Sequence, residues 1–286
     1  MNELQQREFK LLCKAIEVCS KLNLSYYLVC GSALGAVKYA GFIPWDDDVD
    51  IALPRRDYEL FIQKAQSMLQ PDQFLQNYHT DPEFPQIFSK LRDNSSTYIE
   101  KSVANLNINH GVYIDIFPLD EYPAEKLEQR KLELRKRILL LKLSATLCSK
   151  KTGRAAVMDA WGKICGYDKK VSDYARQLEL ALTSFKGSSS SVRCNHGNWQ
   201  GKLEYAPREQ YGNGTWATFE GLKVRVPERY DEYLTQKYGD WRSELPPEQQ
   251  VGHHFAEVVD LNRPYTDYIE KLPNGKIRIK KPKELD

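Results

Sequence analysis

Phe9, Leu12, Ile16 and Cys19 recur three or four residues apart, which places them on one helical face and predicts an amphipathic helix over residues 3–22 stopped at Asn23. The period then changes. Tyr26 to Cys30 is short, aromatic and β-branched, as a buried strand should be; Gly31-Ser32 follows as a turn, and the small residues Ala33 to Tyr39 read as a second helix broken by Gly41 and Pro44. Val49, Ile51 and Leu53 alternate with Asp48, Asp50 and Ala52, so a second strand is expected in which Asp48 and Asp50 leave the same face. Pro54 closes that strand, and Arg55 to Met68 reads as a helix burying Tyr58, Phe61, Ile62 and Ala65.

Further along, Ile87–Leu91 and Tyr98-Ile99 are short strand candidates. Val112 to Phe117 is a clearer one, closed by Pro118 and carrying Asp115 as a lone acid among apolar neighbours. Residues 124–148 and 154–185 read as helical and run into Gly187-Ser-Ser-Ser-Ser191, a flexible composition. Thr215–Phe219 and Leu222–Val226 flank Glu220-Gly221 like a hairpin, Pro227 starts another helix, and Asn274-Gly275 is a hairpin turn. These elements predict an α+β fold, a small mixed sheet flanked by helices with a helical insertion over 124–190. Residues 1–123 and 191–286 would form the rest, the latter completing the core.

Composition narrows the partners. The net charge of +2 over 286 residues gives no reason to expect a nucleic-acid partner. Basic residues gather instead in Lys126–Lys151 and Lys276–Lys283, where a solvated helix face and a basic tail compete with peripheral contact at an anionic membrane surface. The six cysteines show no CxxC spacing and read as small core residues in a reducing compartment. With no apolar signal core at the start and no apolar run near the ~20 residues needed to span a bilayer, a cytoplasmic protein is expected.

The chemistry concentrates between Gly31 and Asp50, where Asp46, Asp47, Asp48 and Asp50 put four acids in five positions. Carboxylates this close raise one another's pKa and stay ionised most easily around a divalent cation, so Mg2+ or Mn2+ is expected. Asp48 and Asp50 would supply a pair of ligands and Asp115 a third from an adjacent strand. Alternating acids at 46, 48 and 50 also open an EF-hand loop, but that loop needs glycine where Ile51 stands and glutamate where Asp57 stands. Gly31 and Ser32 offer backbone amides to a phosphate, and Lys38, Lys90 and Arg92 are candidate diphosphate contacts. Trp45 is a candidate wall for an alkylammonium group. His253 and His254 are candidates for proton transfer or acceptor contact, with a structural role favoured.

Gly31-Ser32, Gly41-Phe-Ile-Pro-Trp-Asp-Asp-Asp-Val-Asp50-Ile, Lys90-Leu-Arg92-Asp93 and Gly111-Val-Tyr-Ile-Asp115-Ile-Phe-Pro-Leu-Asp120 together resemble the LicD/fukutin family of phosphotransferases. The resemblance continues in Phe219–Val224, Tyr230–Trp241 and Pro246-Pro247. It implies a nucleotidyltransferase-like core with Asp48, Asp50 and Asp115 as metal ligands and catalytic residues. Residues 1–123 would then bind metal and nucleotide, and 191–286 the acceptor, with Asp46, Asp47 and Asp120 near the substrate. The ligand pattern of that superfamily is spaced closer to Asp46 than to Asp48, so Asp46 or Asp47 is a further candidate for the metal shell. The implied reaction moves a phospho-alcohol, phosphocholine first among them, from a CDP-linked donor to a sugar hydroxyl of a glycan or lipid-linked glycan, at the inner face of the membrane. A metal-dependent glycosyltransferase and a non-catalytic nucleotide- or glycan-binding protein are the competing readings.

Overall fold

A computed structural model describes residues 1–147, 170–187, 191–197, 201–252, 255–273, 277–280 and 284. Helix α1 (Glu3–Lys21) starts in a capping box: the Asn2 side chain accepts the Gln5 amide (2.8 Å) and the Gln5 side chain accepts the Asn2 amide (3.0 Å). It ends where expected, with Asn23 in the left-handed region (φ 52°). Strand β1 is only Tyr27–Leu28, because α2 (Cys30–Lys38) begins three residues earlier than the sequence suggests. Gly31 and Ser32 therefore form the first turn of α2 and are not a separate turn before it. The reversal falls on Cys30, whose φ of 51° is unusual for a non-glycine residue and whose amide donates to the Tyr233 hydroxyl (3.1 Å).

Strand β2 (Asp50–Pro54) leads into α3 (Arg55–Lys64), extended by a 3-10 turn to Met68. Strands β3 (Gln73–Gln76), β4 (Ser89–Asp93), β5 (Thr97–Glu100) and β6 (Val112–Glu121) follow. The main sheet runs β1-β2-β6-β4-β3, with β2 and β6 parallel and the other pairs antiparallel. The predicted mixed sheet is thus present. In the β2/β6 register Asp50 stands opposite Asp115, which sets two acids side by side at the centre of the sheet.

Pro118 does not close β6, contrary to expectation. The Asp115 amide donates to Val49 O (2.8 Å) on the β2 side, so the backbone nitrogens of Ile116 and Pro118 face the opposite edge. There β4 ends at Ser89, opposite Ile116, and β7 (Val192–Cys194) begins only opposite Asp120. The proline sits in the gap between two partners, where it removes no ladder hydrogen bond.

Helices α4 (Lys126–Leu147) and α5 (Val171–Leu182) pack on each other through an apolar cluster of their own, in which Leu132, Leu139 and Leu143 meet Tyr174, Leu178, Ala181 and Leu182. Residues 148–169 of the predicted helical stretch and Ser188–Ser190 lie outside the described residues. Strand β8 (Tyr205–Pro207) pairs with β7, and β9 (Thr215–Phe219) and β10 (Leu222–Val226) form the predicted hairpin, with Glu220 and Gly221 both at positive φ. Helix α6 (Tyr230–Tyr238) begins three residues after Pro227, not at it. Strand β11 (Ala256–Asp260) pairs with β5, and β12 (Ile269–Lys271) with β13 (Ile277–Ile279); Asn274-Gly275 itself lies outside the described residues. Among the described residues no helix is long and apolar enough to cross a membrane.

Candidate metal and phosphate site

The acidic segment is a loop, not a strand: β2 begins at Asp50, so Asp46, Asp47 and Asp48 precede it. Three contacts shape the loop. Gln5 on α1 donates to Asp46 O (3.0 Å), the Asp46 amide donates to Ile43 O (2.9 Å), and the Asp50 amide donates to the buried Ser32 hydroxyl (2.8 Å). Glycines admit the carboxylates. A Cβ on Gly31 would lie 2.7 Å from Asp46 Oδ2, and one on Gly252 would lie 2.6 Å from Asp47 Oδ2. Gly31 and Ser32 therefore serve the acids directly, one by making room and the other by anchoring the backbone.

Asp46, Asp47 and Asp48, each half-buried, offer oxygens that all lie within 4.8 Å of one another. The compact trio therefore differs from the expected Asp48, Asp50 and Asp115, because Asp48 is on the loop and does not share a strand face with Asp50. Asp50 and Asp115 form the adjacent pair behind it. Burial, then the charges of Asp48, Asp115 and Asp46, push Asp50 well above the ordinary carboxylate range. Glu8 of α1 completes the group. It is 2 % exposed, its Oε2 has no hydrogen-bond partner among the described residues, and burial followed by Asp48, Asp47 and Asp46 pushes its pKa well up.

The predicted phosphate contacts divide. Lys90 is buried on β4 with its ammonium 2.9 Å from Asp115 Oδ1 and 3.5 Å from Glu100 Oε2, and it lies over the Tyr113 ring. It belongs to the site as a counter-charge. Arg92 is fully buried; its Nε donates to Gln76 Oε1 and its Nη1 to Gly111 O, both at 2.7 Å, and burial lowers its pKa. That fork is spent inside the protein. Lys38 at the end of α2 turns to the carbonyls of Ser243 (2.8 Å) and Trp241 (3.3 Å) and to Glu244 (3.2 Å), so it ties down the 241–244 segment.

Asp120 is also corrected. Both of its oxygens bind Arg55, at 2.6 and 2.8 Å, with the two side chains 1 % and 4 % exposed, and this buried pair leaves no carboxylate for substrate. Trp45 is half-buried beside the acids and meets Tyr39 edge-on at 6.3 Å. His253 and His254 lie outside the described residues.

Two features escaped the sequence reading. Glu8 had a signal: with Gln5 it occupies the buried face of α1, continuous with Leu12, Ala15 and Cys19. Lys237 of α6 is buried in an ion pair with Glu204 and lies 3.7 Å from Cys30 Sγ; burial opposes its charge, but Cys30 and Glu204 hold its pKa above the ordinary value. Nothing in its local pattern marks it as buried.

An all-oxygen set of clustered carboxylates, with one buried oxygen left without a partner, fits a hard divalent cation such as Mg2+ or Mn2+. Residues 23–138 match the LicD/FKTN/FKRP nucleotidyltransferase domain family. Over 282 aligned residues the chain is 28% identical to the lipopolysaccharide cholinephosphotransferase LicD of Haemophilus influenzae, covering 91% of this chain and 100% of that protein. It is 26% identical over 121 residues to an uncharacterized protein of Rickettsia prowazekii, 40% of each chain. The acidic loop and Asp115 fall inside the family-matched segment, whereas Glu8 and Lys237 fall outside it.

Proposed function

Because the chain belongs to the LicD family, we propose that it transfers a phospho-alcohol, phosphocholine in the first instance, from a CDP-linked donor to a sugar hydroxyl of a cell-surface glycan or its lipid-linked precursor. The hydroxyl oxygen bonds to the phosphorus that carries the alcohol, the bond from that phosphorus to the bridging oxygen breaks, and CMP leaves with the bridging oxygen. Asp46, Asp47 and Asp48 would hold Mg2+ or Mn2+, with Asp50 beside them, and the cation when bound supplies positive charge for the donor diphosphate. Asp115, across from Asp50 and held by Lys90, would take the hydroxyl proton. A nucleotidyltransferase-like core is part of the same reading.

The observation that carries it is the close approach of Asp46, Asp47 and Asp48 beside the Asp50–Asp115 pair. The test is incubation of the purified protein, Mg2+ and an acceptor glycan with CDP-choline, CDP-glycerol or CDP-ribitol, and separately with UDP- or GDP-sugars. CMP release matched by a phosphocholine mass gain on the acceptor is expected, and is lost in Asp48→Asn. Sugar transfer would establish the glycosyltransferase reading instead, and tight CDP-choline binding without product the non-catalytic one.

A further inference from the structure

Helix α4 has two apolar faces, and the fold uses one of them. Leu132, Leu139 and Leu143 are buried against α5, yet Leu127, Leu134, Ile138 and Leu141 are 63%, 61%, 43% and 53% exposed. At about 100° per residue those four exposed side chains fall within an arc of roughly 60°, on the side of the helix away from the buried three. Such a stripe is a continuous surface, not scattered exposure.

Its flanks are basic. On the same helical wheel Lys126, Arg130 and Arg137 border one side of the stripe and Lys131 and Arg135 the other, and all five are exposed. The helix's two acids lie off the stripe. Glu133 turns toward the body of the protein, accepting from Tyr205 (2.5 Å) and Lys136 (3.0 Å), and Glu128 pairs with Lys131 (2.7 Å). An apolar ridge between two rows of cations matches the interface of an anionic bilayer, with leucines entering the acyl boundary and arginines at the phosphates. Facing a second copy of itself, the same surface would set cation rows against each other.

We infer that α4 docks the enzyme on anionic phospholipid membranes through the Leu127, Leu134, Ile138, Leu141 stripe and its flanking cations. The inference rests on α4 alone and stands or falls independently of the transfer reaction. The consequence for an enzyme of lipid-linked acceptors would be two-dimensional search.

The test is co-sedimentation of the full chain with phosphatidylcholine vesicles, with and without one third phosphatidylglycerol, at low and high salt. Binding that requires phosphatidylglycerol and weakens with salt is expected. Leu134→Ser/Ile138→Ser should lower the partition coefficient about tenfold or more, and Arg130→Gln/Arg137→Gln should also lower it about tenfold or more. All four positions are exposed, so thermal melts should match wild type; if a pair fails to fold, the corresponding single variants serve, with proportionally smaller losses. No binding to the anionic vesicles, or binding that neither pair weakens, overturns the inference. So does a concentration-dependent dimer, seen by light scattering, that Leu134→Ser dissolves.

Discussion

Replacing Asp120 by asparagine should damage folding rather than chemistry, which separates it from the acids of the loop. Both Asp120 oxygens bind Arg55, at 2.6 and 2.8 Å, and neither side chain has appreciable contact with water. Removing one member of such a buried pair leaves an uncompensated charge and typically costs 3–5 kcal/mol. Here Glu179, 19 % exposed and 2.9 Å from Arg55 Nη1, keeps part of the compensation. The lower end applies, about 3 kcal/mol, which corresponds to a fall in Tm of roughly 5 °C for a chain of this size. Thermal unfolding followed by circular dichroism in chelator measures it. Arg55→Met/Asp120→Leu, which removes both charges, should recover most of the loss. If Asp120→Asn melts within about a degree of wild type, the pair contributes nothing and the structural assignment of Asp120 is wrong.

Metal and site predictions follow the same logic. Mg2+ at a hundred times its dissociation constant should stabilise the wild type by about 2.7 kcal/mol, and Asp48→Asn should keep the apo Tm while losing this shift; an undiminished shift removes Asp48 from the site. Gly31→Ala forces a methyl against the Asp46 carboxylate, so it should cost roughly 1–3 kcal/mol and weaken Mn2+ binding by titration calorimetry; wild-type values in both would show that the loop yields freely. His110 is buried with its pKa pulled down to about 4, by burial first and Arg92 second. Its neutral form is favoured in the fold, so its stabilisation is complete above the unfolded value near pH 6.5 and declines as pH falls toward 4. His110→Gln should therefore lose about 2 kcal/mol less than wild type between pH 7 and pH 5, and parallel pH profiles in urea melts would refute this.

Where the apolar period alone decides the outcome, the pattern along the chain was sufficient. Helix α1 and the 215–226 hairpin are of this kind, whereas β2 begins at Asp50, two residues later than the alternation suggests. The acid-rich loop was legible because clustered carboxylates are rare without a reason. What stayed hidden depends on long-range partners. Lys90 and Arg92 read as candidate diphosphate contacts until Asp115, Glu100 and Gln76 are seen around them. Pro118 read as a strand end because the gap between β4 and β7 is a property of the sheet. Asp120 resembled a substrate residue by motif alone, and its partner Arg55 is sixty-five positions away.

The first and last parts of the polypeptide meet across the acidic loop. Arg7 reaches Asp93 (2.9 Å) and the carbonyl of Leu261 (2.7 Å), Gln5 holds Asp46, Gly252 lies against Asp47, and β11 borders β5. Excising 23–138 as a minimal domain would strip the loop of its floor and one of its walls, leaving four aspartates on an unsupported tether. Ordering of the loop must also wait for sequence-distant ends to arrive, which makes it a late step of assembly.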